Sequence, residues 1–345
     1  MTRRTRKTRK GFWGFQGIFT TFDVGRRIMK LIQFHIPNLG KRVGIVTREN
    51  EVIDVTSDES RGVLEILKLA KSERVSLGVL LADIQEKVSA PTPMRFTAFQ
   101  DADTVADDDG GLTLERLEIP PNEQLPHLML PIDTPEVWGC GVTYRRSADM
   151  RDDDSEQDIY SRVYHADRPE IFFKATLPRC VGPNGYIGIR SDSVLTAAEP
   201  ELAYVLSDTG EILGYTLCND VSAWDIEREN PLYLPQSKIY YGCCALGPMF
   251  ITPSEVDDPY DLLMTCTILR GDEELFVGEV NTSQINWKFE QLTEFLMRDN
   301  PIPFGTVVST GTGIIVPNEL PLISGDVVKI EIDGFGTLSN PVKQL

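Results

Sequence analysis

Short apolar runs separated by clusters of Gly, Pro, Asn and Asp dominate the chain. Runs of this kind, rich in β-branched and aromatic residues, are typical of β-strands bounded by turns. They predict three strands near the start of the chain, over residues 30–36, 42–47 and 51–56. Further along they predict strands over residues 171–174, 201–206, 212–218, 263–269, 275–280, 307–309 and 327–333.

Helical periodicity is found in only a few segments. Residues 63–70 carry apolar side chains at positions i, i+3, i+4 and i+7, and residues 77–84 repeat that spacing. A third helix is predicted around Gln284–Met297. Because helices and strands do not alternate along the chain, a doubly wound sheet is excluded. The pattern predicts a mostly β protein of the α+β class.

Composition divides the chain into segments. Residues 1–28 hold eight Lys or Arg and one Asp and lack the apolar stretch of a signal peptide, so we expect a disordered tail. Residues 100–111, QDADTVADDDGG, are acidic and rich in turn formers, which predicts a loop or linker. We therefore expect a small N-terminal α/β domain over residues 29–125 and a larger domain over residues 126–345.

The charge balance restricts the partners of the protein. The chain of 345 residues has a formal net charge of −18, and residues 1–28 contribute +7, which leaves −25 for the remainder. Nucleic acids and anionic membranes bind clustered cations, so neither is an expected partner. The chain has no apolar run of about 18 residues, so no transmembrane helix is expected.

The six cysteines predict a reducing compartment. The chain has no Cys-x-x-Cys motif, and the cysteine spacing does not resemble a secreted disulfide framework. Buried thiols in the cytoplasm are therefore expected. The cysteines are Cys140, Cys180, Cys218, Cys243, Cys244 and Cys266.

The run AAEPELAYVL, residues 197–206, places two carboxylates at the head of an apolar strand. Side chains alternate along a strand, so Glu199 and Glu201 share a face and lie about 7 Å apart. Carboxylates are rarely buried without a partner. Either that face is exposed to solvent, or positive charge lies between the two acids.

A third carboxylate joins this face if the next two strands form a hairpin. Thr209-Gly210 between two apolar runs is a two-residue hairpin signal. With those residues as the loop, Glu199 lies directly across from Asp220, on the same face. Three clustered carboxylates repel one another, and a hard divalent cation such as Mg²⁺ or Mn²⁺ would relieve that repulsion. These residues alone leave a metal site and a solvent-exposed acidic hairpin equally open.

Two downstream motifs offer contacts to an anionic ligand. Lys238 lies in a polar segment before a run of small residues, and an ordinary surface lysine is the alternative interpretation. The run Thr310-Gly311-Thr312-Gly313 follows a β-branched strand and presents hydroxyl and N–H groups at a loop. A plain glycine turn is the alternative there.

Five ordered motifs resemble the fumarylacetoacetate hydrolase superfamily over residues 137–345. They are Glu199-x-Glu201, Asp220 in GYTLCNDVSAWD, Lys238, LGP at 246–248, and STGTG followed by SGDVVKIEIDGFGTLSN. Segments such as GVTYRRS, RVYHADRPEIFFKA and EPELA are most similar to the 2-keto-3-deoxy-D-arabinonate dehydratase branch. The resemblance implies a mixed β-roll fold and a homodimer. It also implies Mg²⁺, with Mn²⁺ and Ca²⁺ as alternatives, held by Glu199, Glu201 and Asp220.

The resemblance further implies groups near a substrate, with Lys238 as a catalytic residue. Strand alternation in PEIFFKA puts Glu170 and Lys174 on one side, so Glu170 is our candidate base or acid. An exposed glutamate at a strand end is the alternative on that spacing alone. The residues expected to contact the substrate are Tyr144, Lys174, Thr310 and Thr312.

One departure from the superfamily pattern bears on the reaction. The hydrolases of the superfamily carry an Asn-Tyr…His…Glu lid, whose His–Glu dyad activates water. The corresponding run here, VTYRRSADMRDDDSE, keeps Tyr144 but has Thr143 for the Asn and Ser147 where the His would fall. Of the three histidines only His165 lies near a motif, and we expect it to be structural or on the lid surface.

These features favour a metal-dependent lyase that dehydrates a 2-keto-3-deoxy sugar acid to a 2-oxo acid semialdehyde. The metal would chelate the 2-keto oxygen and the carboxylate, which stabilises the enolate formed when a base removes the C3 proton. Hydrolysis of a C–C bond in a β-diketo acid at the same metal is the first alternative. A catalytically silent protein used for binding or assembly is the second.

Overall fold

The computed structural model describes residues 29–87, 111–155 and 159–345. The predicted tail over residues 1–28 lies outside the described residues, as does almost all of the predicted linker over residues 100–111. Within the described ranges, no helix is both long enough and apolar enough to cross a membrane.

Most of the chain is organised in β-strands. In chain order they are β1 (Lys30–Ile36), β2 (Gly40–Val46), β3 (Val52–Asp54), β4 (His127–Leu128), β5 (Val137–Gly141), β6 (Glu170–Ala175), β7 (Cys180–Val181), β8 (Ile187–Ile189), β9 (Thr196–Ala197), β10 (Pro200–Leu206), β11 (Ile212–Asp220), β12 (Ser222–Ala223), β13 (Cys244–Ile251), β14 (Leu263–Arg270), β15 (Glu273–Asn281), β16 (Thr306–Ser309), β17 (Asp326–Ile332) and β18 (Gly336–Gln344).

Helices are fewer and mostly short. They are α1 (Val63–Glu73), α2 (Leu77–Lys87), α3 (Leu114–Leu117), α4 (Arg145–Ser155), α5 (Ile159–Tyr164), α6 (Trp224–Glu229), α7 (Leu234–Lys238) and α8 (Phe289–Met297).

Among the described residues, the strands form one large sheet and two smaller ones. The large sheet has eleven strands, with the main order β3-β2-β1-β13-β11-β10-β16-β5-β6. A five-stranded sheet has the order β15-β14-β17-β18-β8, and β12 pairs with β9. Most pairings are antiparallel, but β16–β5, β13–β7 and β18–β8 are parallel. The predicted strand-rich α+β class is confirmed.

Strand β10 lies between two apolar cores, which explains why all seven of its residues are buried. Leu202, Tyr204 and Leu206 face the core shared with the five-stranded sheet and α8. Ala203 and Val205 face the core shared with α1 and α2. The period of two along the strand thus assigns these apolar side chains alternately to one core and the other.

The N-terminal strands extend the large sheet. Lys30 and Leu31 of β1 pair with Ile251 and Phe250 of β13, which belongs to the C-terminal part of the chain. Helices α1 and α2 then pack on the same face of the sheet as Ala203. A domain boundary near residue 125 stays a prediction.

The observed elements differ from the predicted ones in several respects, and strands β5, β13 and β18 are among those that the sequence did not predict. Helix α8 begins at Phe289, later than predicted, because Thr282–Gln284 form a separate 3₁₀ turn and the Gln291 side chain accepts a hydrogen bond from the Lys288 N–H. The prediction of a single helix after residue 125 is wrong, since α4, α5, α6 and α7 also form there. Helix α4, with the sequence RRSADMRDDDS, has no apolar periodicity that could have predicted it.

Candidate metal centre and active site

The β10–β11 hairpin brings three carboxylates together in the predicted register. Glu201 pairs with Cys218, and the Asp220 N–H donates to the Glu199 carbonyl oxygen over 2.9 Å. The turn is longer than the predicted Thr209-Gly210 loop, since the Ser207 N–H donates to the Glu211 carbonyl oxygen over 2.8 Å. A β-bulge after Val205 offsets the extra turn residues, so the register near the carboxylates is unchanged.

Glu199, Glu201 and Asp220 are almost fully buried, at 2%, 1% and 1% exposure. One carboxylate oxygen from each lies within 4.8 Å of the others. A solvent-exposed acidic hairpin is therefore excluded, and positive charge must compensate the acids. A set of three carboxylates is the ligand type that hard divalent cations prefer.

Lys238 supplies part of that positive charge. It lies at the end of α7, and its ammonium group donates to Glu199 Oε2 and Asp220 Oδ2 over 2.9 Å each, and to Ser222 Oγ over 2.5 Å. Burial alone would lower the pKa of Lys238, but Asp220 and Glu199 outweigh burial and raise it. The lysine therefore stays protonated, and the alternative of a surface lysine is wrong.

Glu199 has the strongest set of donors in the cluster. Its Oε1 accepts from Trp224 Nε1 over 2.6 Å and from the Arg151 guanidinium over 3.0 Å. Burial raises the pKa of Glu199, but Lys238 and Arg151 outweigh that effect and lower it to about 2. This carboxylate is ionised throughout the physiological range.

The environment of Glu201 shows that the cations of the protein do not fully balance the carboxylate cluster. Its Oε2 accepts from the Ser309 hydroxyl and from the Gly311 N–H, the latter over 2.8 Å. Burial, Asp220 and Glu199 together raise the pKa of Glu201 to about 8. The proton on Glu201 thus balances part of the negative charge of the cluster. A bound divalent cation would balance that charge instead, so the residues fit such a cation.

Glu170 lies on β6 opposite Gly141 of β5. A Cβ atom at Gly141 would lie 2.1 Å from Glu170 Oε2, so only glycine leaves room for this carboxylate. Burial raises the pKa of Glu170, and the nearby Glu227 carboxylate raises it further. A carboxyl group with a raised pKa beside a cluster of charges is suited to proton transfer.

The predicted substrate contacts do not all reach the same cavity. One cavity is lined by the carboxylate triad, Glu170, Lys238 and Thr312, but neither Thr310 nor Tyr144 lines it. Thr310 Oγ1 donates to the Leu202 carbonyl oxygen over 2.8 Å. The Tyr144 hydroxyl is buried with no hydrogen-bond partner in the described residues.

Lys174 lies behind the triad. Its buried ammonium group forms an ion pair with Asp220 Oδ1 and donates to the Val221 carbonyl oxygen over 2.9 Å. It does not line the cavity. Lys174 therefore orients Asp220 from the side opposite Lys238, a placement that strand alternation with Glu170 does not predict.

Helices α4 and α6 add two residues that the sequence did not single out, Arg151 and Glu227. Arg151 and Ser147 of α4 and Phe172 of β6 line the cavity. Arg151 also contacts Glu227 of α6 over 3.1 Å. The apolar period that identifies a core helix is absent from α4, so no sequence signal pointed to Arg151.

The fold and this carboxylate cluster define the class to which the chain belongs. The fumarylacetoacetate (FAA) hydrolase C-terminal family matches residues 136–343, and the chain is a member of that family.

Particular relatives are dehydratases. The chain is 50% identical over 219 residues to 2-dehydro-3-deoxy-D-arabinonate dehydratase of Saccharolobus solfataricus, covering 62% of this chain and 74% of that protein. It is 39% identical over 306 residues to the probable 2-keto-3-deoxyxylonate dehydratase of Haloferax volcanii, covering 88% and 96%. A solved structure of 2-keto-3-deoxy-D-arabinonate dehydratase complexed with magnesium and 2,5-dioxopentanoate superposes with a TM-score of 0.72 at 38% identity, covering 92% and 99%.

Proposed function

We propose that this protein is a Mg²⁺-dependent dehydratase of a 2-keto-3-deoxy sugar acid and releases a 2-oxo acid semialdehyde. The observation that carries the proposal is one cavity in which Glu199, Glu201 and Asp220 face Glu170 and Lys238. The similarity to dehydratases, one of them solved with magnesium and 2,5-dioxopentanoate, supports the same reaction.

Glu199, Glu201 and Asp220 would hold the metal ion. When bound, a divalent cation supplies Lewis-acid polarisation of the 2-keto group, which acidifies the C3 proton. Among the candidate cations, Mg²⁺ is favoured over Mn²⁺ and Ca²⁺ because the relative solved with 2,5-dioxopentanoate contains magnesium.

Glu170 and Lys238 would move the protons. Glu170 takes a proton from C3, and the Lys238 ammonium group donates one to the leaving C4 hydroxyl, which departs as water. Glu170 then returns its proton to C3 as the neutral Lys238 amine takes a proton from C5, which restores the ammonium group, and the resulting enol tautomerises to the C5 aldehyde. The overall change is the loss of one water molecule.

The hydrolase alternative lacks a group to activate water. Hydrolysis requires a base beside the attacked carbonyl, and Ser147 lines the cavity at the position corresponding to the superfamily histidine. His165 is exposed directly after α5, and its Nε2 lies 3.2 Å from Nη1 of Arg145 on α4. None of the histidines lines this cavity among the described residues.

The products distinguish the two reactions. We expect the protein with Mg²⁺ to convert a 2-keto-3-deoxypentonate to 2,5-dioxopentanoate, followed by nuclear magnetic resonance. Chelation of the metal should stop the conversion. Appearance of pyruvate or another cleaved acid would overturn the dehydratase proposal in favour of hydrolysis.

The proposal extends to the setting of the enzyme. All six cysteines are free thiols and buried, which suits a cytoplasmic protein. We also propose a homodimer, and light scattering after size-exclusion chromatography tests the assembly. A monomeric mass would refute it.

A further inference from the structure

A second cavity adjoins the metal centre. Its volume is about 10 Å³, room for one water-sized group such as a hydroxyl, and it is lined by Arg151, Tyr160, Trp224, Glu227 and Arg228. Arg151 lines both this cavity and the one that contains the carboxylate triad. Trp224 faces the second cavity while its ring nitrogen donates to Glu199. A ligand held at the metal centre therefore has a polar and aromatic compartment directly beside it.

Arg151 fixes the distance between the two compartments. Its side chain is 13% exposed, and it donates to Glu199 Oε1 over 3.0 Å and to Glu227 Oε1 over 3.1 Å. The carboxylates of Glu199 and Glu227 are therefore separated by the width of one guanidinium group. The carbon chain of a small sugar acid is long enough to reach from one to the other. Burial would lower the pKa of Arg151, but Glu227 and Glu199 outweigh it and raise the pKa.

Glu227 has an acceptor that nothing in the described residues satisfies. The residue is 5% exposed, and its Oε1 accepts from Arg151. Its Oε2 is buried and has no hydrogen-bond partner. A buried carboxylate oxygen without a donor is costly, so an unsatisfied one calls for a specific explanation. A donor supplied by a ligand in the second cavity provides that explanation.

We propose that Glu227 Oε2 accepts a hydrogen bond from the terminal hydroxyl group of the sugar acid, so that the second cavity is the subsite for the hydroxylated end. This inference rests on the proposed function and deepens it. Arg151 acts as a positioning residue, because its two ion pairs hold Glu227 at a fixed distance from Glu199. The two residues then select hydroxylated 2-keto acids.

The Glu227 carboxylate disfavours a negatively charged chain end, and Arg228, the other cation that lines the cavity, donates to Asn318 Oδ1 over 2.9 Å. A second carboxylate or a phosphate would meet the Glu227 carboxylate, and like charges in a buried site repel strongly. The Arg151 charge is already shared between two carboxylates and is not available to an anion. A neutral hydroxyl group is a donor and fits the unsatisfied oxygen.

The test compares two substrates that share the atoms of the elimination step, C2, C3 and C4 with its hydroxyl group. One is a 2-keto-3-deoxypentonate, and the other is 4-hydroxy-2-oxopentanoate, which lacks the C5 hydroxyl. Changing Glu227→Gln preserves the shape and replaces the charged acceptor with a neutral one. We expect kcat/KM to fall about tenfold for the first substrate, mainly through KM, and less than about twofold for the second. Glu229→Gln on the exposed side of the same helix is the matched control and should change neither.

Several outcomes would contradict the assignment of the second cavity as the subsite for the hydroxylated end. Equal losses for the two substrates would mean that Glu227 supports the site in general, and no loss for either would mean that it contacts nothing. If the wild-type protein turns over neither substrate, the proposed function fails separately. Calorimetric titration of each acid in the presence of Mg²⁺ then decides the subsite, since Glu227→Gln must weaken binding of the pentonate alone.

Discussion

Two halves of the cavity are built in different ways. Glu201 and Asp220 lie on β10 and β11, and Glu199 directly precedes β10; backbone hydrogen bonds between these neighbouring segments fix each Cα. The remaining charged groups come largely from three short helices, with Arg151 on α4, Glu227 on α6 and Lys238 at the end of α7. The sheet half holds the three clustered acids close together with Lys174 of β6 behind them, and the helix half brings two further cations and Glu227 to them.

The difference separates two tasks. Acids on paired strands cannot move apart without breaking the sheet, so they continue to repel one another. Binding of a cation between them relieves that repulsion. Groups on helices are held only by side-chain contacts across long sequence separations, as in the Arg151–Glu227 pair. We infer that the sheet half determines the affinity for the metal ion and that the helix half determines the affinity for the substrate. The following experiments test that division.

The largest effect is expected from the sheet half. Glu201→Gln keeps the shape of the side chain but removes one of three charged ligands, so affinity for Mg²⁺ should fall by more than about 100-fold and turnover should become undetectable. Calorimetry measures the affinity. Glu211→Gln, in the exposed turn of the same hairpin, is the control and should behave as the wild type. Stoichiometric Mg²⁺ and full activity in the Glu201 variant would show that the triad is not the metal site.

The next largest effect is expected at the candidate base. Glu170→Gln should lower kcat by about 10²- to 10⁴-fold, because a positioned proton acceptor contributes that much. Affinity for Mg²⁺ should be retained, since Glu170 is not one of the three clustered ligands. Stopped-flow and calorimetric measurements separate the two quantities. A variant that keeps its kcat would exclude Glu170 as the base.

A smaller effect is expected from the helix half. Arg151→Lys keeps the charge but replaces a planar fork that contacts two carboxylates with a single ammonium group. We expect KM for the sugar acid to rise about tenfold, with Mg²⁺ affinity nearly unchanged. The control is Arg146→Lys on the exposed face of α4. A collapse of Mg²⁺ binding in the Arg151 variant would contradict the division between the two halves.

The smallest effect is expected in the number of protons released when Mg²⁺ binds. The pKa of Glu201 is raised from 4.5 to about 8, so the metal-free protein holds a proton at pH 7 that a bound cation should displace. Titrations in buffers of different ionisation enthalpy should show release of about one proton per Mg²⁺. A value of zero would mean that Glu201 is already ionised.

The same shift predicts how stability depends on pH. Between pH 4.5 and about 8 the folded metal-free protein binds more protons at Glu201 than the unfolded chain, so this group's contribution falls as pH rises. Glu199, with its pKa lowered to about 2, contributes above pH 4.5 and loses that contribution on acidification. Thermal unfolding across this range, with and without Mg²⁺, measures both trends.

The sequence predicted the sheet half far better than the helix half. Side-chain alternation and one hairpin were enough to place Glu199 opposite Asp220, because strand register is a local property. Arg151 could not be found in this way, since its partner Glu227 is 76 residues away and α4 has no apolar period. Lys174 shows the limit of alternation, which assigns a face of β6 but not how far a long side chain reaches.

The glycine at position 141 makes activity and folding respond differently to the same substitution. Any side chain there would meet the Glu170 carboxylate, which is the mobile end of a long side chain and can turn away. A library randomised at this codon and sorted for soluble expression should therefore return many amino acids. The same library sorted for turnover should return glycine alone. Position 141 should therefore be left unchanged when the enzyme is engineered for activity.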